Sequence, residues 1–290
     1  MQEHLFRDAV AVLLLVTALV GVNAAAGEGT PEDPLIFGVV PARSPAQQMK
    51  RFGPLVQALA RDVGMAIRLR GAPDYATFIN RALEGTTYDV MLSGGDVFQF
   101  LRRRSAPVPV ARMKAKGVFA VIAVRRGSPL KSLADLKAGG TVATADPLAY
   151  STGLGLRALR KAGVDPDRDI QLMIVPSQSS SLQSLVRSQV DAALIMIPVY
   201  RSAPPAVRTQ LRVLAETERA PPPVVSTTTH LAPAKVQRIK RFLLNLDTTP
   251  AGKKLLIELG WPGFASVDVN EYDSLDWAVK TIEGRLRVSD

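Results

Sequence analysis

The 290-residue chain contains no cysteine and only two histidines, His4 and His230. The first absence excludes a disulfide framework, thiolate metal ligation and thiol catalysis. The second leaves the usual general base almost unrepresented. Aromatic residues are scarce, at 6%, too few to interleave with basic patches as stacking platforms for nucleic acid. HExxH, GxSxG, P-loop and EF-hand patterns are all missing. Gly153-Leu154-Gly155 lacks the third glycine of a dinucleotide fingerprint, and His230 has no acid or nucleophile at a telling spacing. These gaps nominate no catalytic residue, no metal ligand and no cofactor, so the chain does not read as an enzyme. Acidic residues are outnumbered, 26 against 36 basic ones, and the net charge of +10 favours anionic partners.

What is present begins with a leader. Ala9–Val22 is an apolar stretch of 14 residues, short of the roughly 20 that cross a bilayer as a helix. Arg7 precedes it, and Asn23-Ala24-Ala25-Ala26 offers a small-residue cleavage signal, so Met1–Ala26 reads as a signal peptide. Glu3 and Asp8 offset Arg7, which keeps an uncleaved membrane tether as the alternative. Either way the chain is expected to be exported to the periplasm.

Beyond the leader, strands and helices alternate. Leu35–Val40 is an apolar run between prolines; Ser44-Pro45 supplies a helix cap and first residue. Phe52, Leu55, Val56, Leu59 and Val63 then share one helical face. Gly53-Pro54 is expected to interrupt that helix, and Gly64 to end it. Ala66–Arg70 and Tyr88–Leu92 read as strands, Tyr75–Leu83 and Asp96–Arg103 as helices. After the long apolar strand Val118–Val124 a second series follows: a Ser132/Asp135 capping box, strand Thr141–Thr144, helix Gly153–Ala162, strand Gln171–Val175, helix Ser179–Ser188 and strand Ala192–Ile197. Such alternation implies parallel, doubly wound α/β sheets. Two series joined by strands predict two lobes, residues 35–118 with 215–290 and residues 119–214, with a ligand cleft between them.

The sharpest local signal is Asp146–Gly153, a polar loop running into a helix. Free N–H groups at a helix start, with the hydroxyls of Ser151 and Thr152, make a cradle for an oxyanion; the alternative is that either residue merely caps the helix. Ser93-Gly94, Ser177-Gln178-Ser179 and Arg43-Ser44 also follow strands. Singly, each is ordinary turn or cap chemistry, but their shared position at strand ends points to one cleft.

These residues resemble a known family. Phe37–Pro41, Gly53-Pro54-Leu55, Ala72–Tyr75 and Tyr88-Asp89-Val90 are similar to the first lobe of the phosphonate/phosphate/phosphite substrate-binding proteins of ABC transporters. Ser128–Leu136, Asp146-Pro147 with Ser151-Thr152-Gly153, Val190–Ala193 and Thr249–Phe264 resemble later segments. The resemblance implies a type II periplasmic-binding-protein fold that closes by a hinge, with Tyr75 and the Tyr150-Ser151-Thr152 loop on an oxyanion. The chain departs from the family pattern at Ser93, where an aromatic is common, at Gln178, where histidine is common, and at Ile195 and Met196, where polar or acidic groups can hold a ligand amine. A small oxyanion, or an apolar organic acid packed on Ile195, Met196 and Phe98, is therefore expected in place of an aminoalkylphosphonate. The implied partners are a small anionic solute and an ABC permease, the protein acting as a monomer; the alternative is a binding protein that reports an organic acid to a membrane sensor or a periplasmic dehydrogenase system. Arg102-Arg103-Arg104, Lys114/Lys116 and Arg125-Arg126 read as solvated surface.

Overall fold

The computed structural model describes residues 33–286, so the leader Met1–Ala26 lies outside the described residues. In chain order the elements are β1 (Leu35–Val39), α1 (Pro45–Val63), β2 (Ile67–Arg70), α2 (Tyr75–Glu84), β3 (Val90–Ser93), α3 (Gly95–Arg104), β4 (Val108–Met113) and β5 (Ala120–Arg125). They continue with β6 (Gly140–Thr144), α4 (Tyr150–Lys161), β7 (Ile170–Ile174), α5 (Gln178–Val186), β8 (Ala192–Met196), α6 (Ile197–Arg201), α7 (Pro205–Arg208) and β9 (Leu211–Glu216). The last are β10 (Val224–Thr227), α8 (Pro233–Leu244), α9 (Pro250–Leu259), β11 (Phe264–Ala265) and α10 (Asp276–Leu286).

Local chemistry explains most boundaries. Ser44 caps α1 through the Gln47 N–H, Pro45 opens it, and Gly64 closes it in the left-handed region at φ +65°. The break expected at Gly53-Pro54 does not occur, and α1 runs on through Pro54. Phe52, Leu55, Val56 and Leu59 are buried in one core on both sides of the proline, and that packing outweighs one missing hydrogen bond. The Ser132/Asp135 capping box is present but opens a 3-10 turn over Leu133–Ala138. Helix α4 begins at Tyr150, three residues before the expected start. Its Gly155 allows close seating on β8, since a Cβ there would lie 2.7 Å from Leu194.

One sheet has the order β11-β4-β10-β3-β1-β2 and the other β7-β6-β8-β5-β9. The expectation of parallel sheets holds for β1, β2 and β3 and for β6, β7 and β8, but β10 and β5 are antiparallel to their neighbours. Each antiparallel strand arrives from the opposite sheet: β5 follows the segment leaving β4, and β10 the segment leaving β9. Those two segments pair with each other, Val118 N–H to Ala220 O and Ala220 N–H to Val118 O, both at 2.8 Å. Two crossing segments held by one β-bridge are thus the covalent link between halves, the geometry of a hinge.

In β5, Val121 and Ala123 face one apolar cluster and Ile122 and Val124 another. Burial on both faces explains why that strand reads as an unbroken apolar run. The halves also touch at the start of α4. Leu148 and Ala149 pack with Phe78 and Leu101, while Tyr150 and Leu154 pack with Phe98, Tyr272 and Leu275. The basic clusters lie largely at the exposed surface, as expected, and most of their side chains are paired there. Arg102 and Arg103 pair with Asp273, Arg103 also with Asp276, and Arg104 with Glu283, tying α3 to the C-terminal α10 and the turn before it. Lys114 pairs with Asp247 at 2.7 Å, and Arg125 and Arg126 donate to the carbonyls of Val190 and Thr209.

Candidate functional site

A cavity of about 180 Å³ opens where the ends of β1 and β3 meet the first turns of α4 and α5 and the end of β8. Arg43, Tyr75, Ser93, Gly94, Tyr150, Ser151 and Gln178 all line it. Thr152, Gly153, Ser44 and Ser179 do not. The reason at α4 is helical geometry: consecutive residues are rotated by about 100°, so Ser151 faces the cavity while Thr152 turns inward. There Thr152 Oγ1 donates to the Asp146 carbonyl at 2.6 Å and accepts from the Thr144 hydroxyl. Gly153 lies under the ring of Trp277. Ser44 is spent as the exposed cap of α1 and Ser179 is exposed. Neither Ser151 nor Thr152 caps α4, because the cap position is Ala149 and carries no side-chain bond.

The polar inventory of the cavity is unusual. Ser93 and Ser151 are fully buried and Asp96 is 4% exposed, yet Ser93 Oγ, Ser151 Oγ and Asp96 Oδ1 have no hydrogen-bond partner among the described residues. Buried polar atoms are ordinarily paired, and leaving one bare costs about 1–3 kcal/mol, so three together mark a place built for something else. Other groups are committed. Tyr150 donates its hydroxyl to the Pro221 carbonyl at 3.0 Å. Gln178 accepts the Met196 N–H through Oε1 at 2.7 Å, which directs its amide NH₂ elsewhere. Gln48 donates to the carbonyls of Val40 and Arg43, at 3.0 and 3.2 Å, fixing the turn between β1 and α1.

Sequence reasoning missed Gln48, Arg51, Asp96 and Trp261, which also line the cavity. Gln48 and Arg51 precede Phe52 and Leu55 at three-and-four spacing, so extending the apolar face of α1 back by one turn would have found them. Asp96 reads in sequence only as an acid in a first helical turn. Arg43 and Arg51 have no acidic partner among the described residues. Burial lowers both, and burial together with the neighbouring Arg43 brings Arg51 down to about 10, still cationic at neutral pH. Burial pushes Asp96 up to about 7, against the backbone N–H groups of Val97 and Asp96 itself, which favour the charged form. Tyr75 and Tyr150 are raised by burial first and by Asp96 second, so both remain neutral phenols. The apolar wall differs from expectation. Met196 lines the cavity, but Ile195 is buried in its own sheet's core and Phe98 packs edge-on against Tyr272 at 5.0 Å.

Two sheets of matching strand order, joined by a paired hinge and sharing a largely apolar cavity with a few buried polar groups, define a bilobed binding protein of the type II periplasmic kind. Within that class the chain belongs to the periplasmic substrate-binding proteins of phosphonate ABC transporters, whose family model matches residues 37–272. That family comprises transport components and not enzymes. The phosphonates-binding periplasmic protein of Escherichia coli K12 is 25% identical over 252 residues, covering 82% of this chain and 74% of that protein. Among solved structures, a binding component of an ABC phosphonate transporter from Pseudomonas aeruginosa superposes with a TM-score of 0.77 at 20% identity, covering 88% of each chain. A Prochlorococcus marinus protein in complex with methylphosphonate also gives 0.77, at 16% identity, covering 88% of this chain and 99% of that one.

Proposed function

We propose that the protein captures a small phosphorus oxyanion of the phosphonate type in this cavity and delivers it to the permease of an ABC importer. The observation that carries the reading is the set of buried, unpartnered polar atoms of Ser93, Ser151 and Asp96 in a cavity that also receives two arginines without acidic partners. Hydroxyls of Ser93 and Ser151 donate to the oxyanion, and the N-terminal turn of α4 adds backbone N–H groups and the positive end of its dipole. Arg43 and Arg51 supply the attracting potential. Closure about the Val118–Ala220 pair brings Ser151 and Gln178 from one half against Arg43 and Ser93 from the other, so the ligand stabilises the closed form by its extra contacts there.

Calorimetric titration of the mature protein with methylphosphonate, phosphite, phosphate, methanesulfonate and acetate tests the proposal. Saturable binding of a phosphorus oxyanion, abolished or much weakened in Ser93→Ala/Ser151→Ala, is the expected result. No binding by any phosphorus oxyanion would overturn it.

A further inference from the structure

We propose that Asp96 makes the site selective for an oxyanion that still carries one acidic proton. Its free carboxyl oxygen accepts the P–O–H of a monoprotonated phosphonate, phosphite or phosphate, and a sulfonate has no such proton to offer. The inference rests on the reading of the cavity as an oxyanion site and names the ligand property that this site demands.

Asp96 sits in the first turn of α3, where Gly94 brings the chain close to Tyr150 at the start of α4. A Cβ on Gly94 would lie 2.5 Å from Asp96 Oδ1 and 3.3 Å from the Tyr150 ring. The carboxyl therefore stands beside the same helix start whose Ser151 hydroxyl faces the cavity. Its surroundings supply no counter-charge. Tyr75 approaches from α2 and Tyr150 from α4, both neutral, with Tyr272 on the turn before α10 next to Tyr150. On the α10 side a small void presents Trp277, Ala278, Thr281 and Ile282. Asp146 lies beyond Tyr75, accepting its backbone N–H at 3.4 Å. Arg43 and Arg51 line the same cavity, but among the described residues no cation is hydrogen-bonded or ion-paired to Asp96.

A bare carboxylate and an anion cannot share such a place, since like charges at contact in a poorly hydrated site repel strongly. One proton between the two oxygens turns that repulsion into a charge-assisted hydrogen bond. The proton can come from either side. Burial brings the Asp96 carboxyl to about 7, so at neutral pH a phosphonate monoanion can bring its own proton to the ionised carboxylate. A sulfonate must instead wait for the protonated carboxyl, a form that falls about tenfold per pH unit above that value.

Calorimetry with methylphosphonate and methanesulfonate, ligands of similar shape, between pH 6 and 8.5 tests this. In the native protein the preference for methylphosphonate is expected to widen between pH 6 and pH 8, with methanesulfonate losing about tenfold in affinity per unit above pH 7. In Asp96→Asn, methanesulfonate binding becomes independent of pH and the preference at pH 8 narrows about tenfold. A measurement on the native protein alone guards against a variant that fails to fold. Titrations in two buffers of different ionisation enthalpy at pH 7 should give an uptake of about half a proton with methanesulfonate and a release of up to about half a proton with methylphosphonate, whose monoanion brings the shared proton and displaces the one on Asp96. Equal proton uptake for the two ligands, or a preference unchanged in Asp96→Asn, overturns the role of Asp96 while leaving the oxyanion site standing. Failure of the native protein to bind either ligand removes the site itself, and this inference with it.

Discussion

The two halves of the molecule share one plan and differ in chemistry. Taking the three parallel strands of each in chain order, both sheets read second, first, third, then the antiparallel strand from the opposite half, then the strand that leads into or out of the hinge. Yet every charged side chain lining the cavity, Arg43, Arg51 and Asp96, comes from the half built on β1 and β3. The half built on β6 and β8 contributes Tyr150, Ser151, Gln178 and Met196, all uncharged. Coulomb forces reach across an open cleft whereas hydroxyls act only at contact. On the proposed reading, then, one half attracts and selects by charge, and the other completes the site by hydrogen bonds when the hinge closes.

The largest effect is expected at Asp96, in the charged half. Its carboxyl is neutral in both folded and unfolded chains below about pH 4 and ionised in both well above 7. Between those values the unfolded chain ionises it and the folded chain does not, so stability falls as pH rises through that window. A displacement from 3.8 to about 7 corresponds to at most about 4 kcal/mol. Denaturant unfolding of the ligand-free protein at pH 4.5 and 8 should show that loss, and Asp96→Asn should remove most of it. A carboxyl that titrates normally would give no such difference.

Next in size is the arginine pair. Replacing both in Arg43→Gln/Arg51→Gln is expected to weaken binding of the monoanion by about 2–3 kcal/mol, the scale of hydrogen bonds to charged groups, with little effect on the unfolding midpoint. Calorimetry at low and high salt checks both parts, because the native protein's salt dependence should shrink in the variant. An unchanged affinity would place the selecting charge elsewhere.

Legibility in the sequence divides along similar lines. Element α1 could be read because its signals are local: Ser44-Pro45 at one end and Gly64 at the other. The antiparallel insertion of β5 and β10 could not, since strand direction depends on where a crossing segment lands, a long-range fact. Strand β4 escaped notice through Pro109, tolerated because β11 pairs only with Met113 and Arg112 and leaves the Pro109 position with a partner on one side. In the site, Ser93 and Ser151 were legible as small polar residues where strands or loops give way to helices. Arg51 and Asp96 were not, because only tertiary packing decides that these particular charges are buried.

Smaller effects separate the two adjacent hydroxyls of α4. Ser151→Ala should cost about 1–2 kcal/mol of anion affinity, since its hydroxyl has no other partner. Thr152→Val should leave affinity unchanged within error and lower unfolding stability by about 1 kcal/mol, through loss of the bonds to Asp146 and Thr144. The reverse outcome would mean that the helix start turns its other face to the ligand.

The smallest expected effect tests whether attraction resides in the two cavity arginines or in the net charge of the whole chain. Arg103 has the same formal charge as Arg51, but it lies on the outer surface with its side chain 47% exposed, paired with Asp276 at 3.0 Å. Exposed pairs of this kind contribute about 0–1 kcal/mol, so Arg103→Gln should lower stability by no more than about 0.5 kcal/mol and leave anion affinity at the native value. Its positive charge is already opposed by a neighbouring carboxylate and screened within about 10 Å at ordinary salt, whereas among the described residues Arg43 and Arg51 line the cavity without an acid paired to either. If Arg103→Gln weakened binding as much as loss of the cavity pair, the anion would be responding to overall potential, and the distinction between a charged and a neutral half would carry no functional weight.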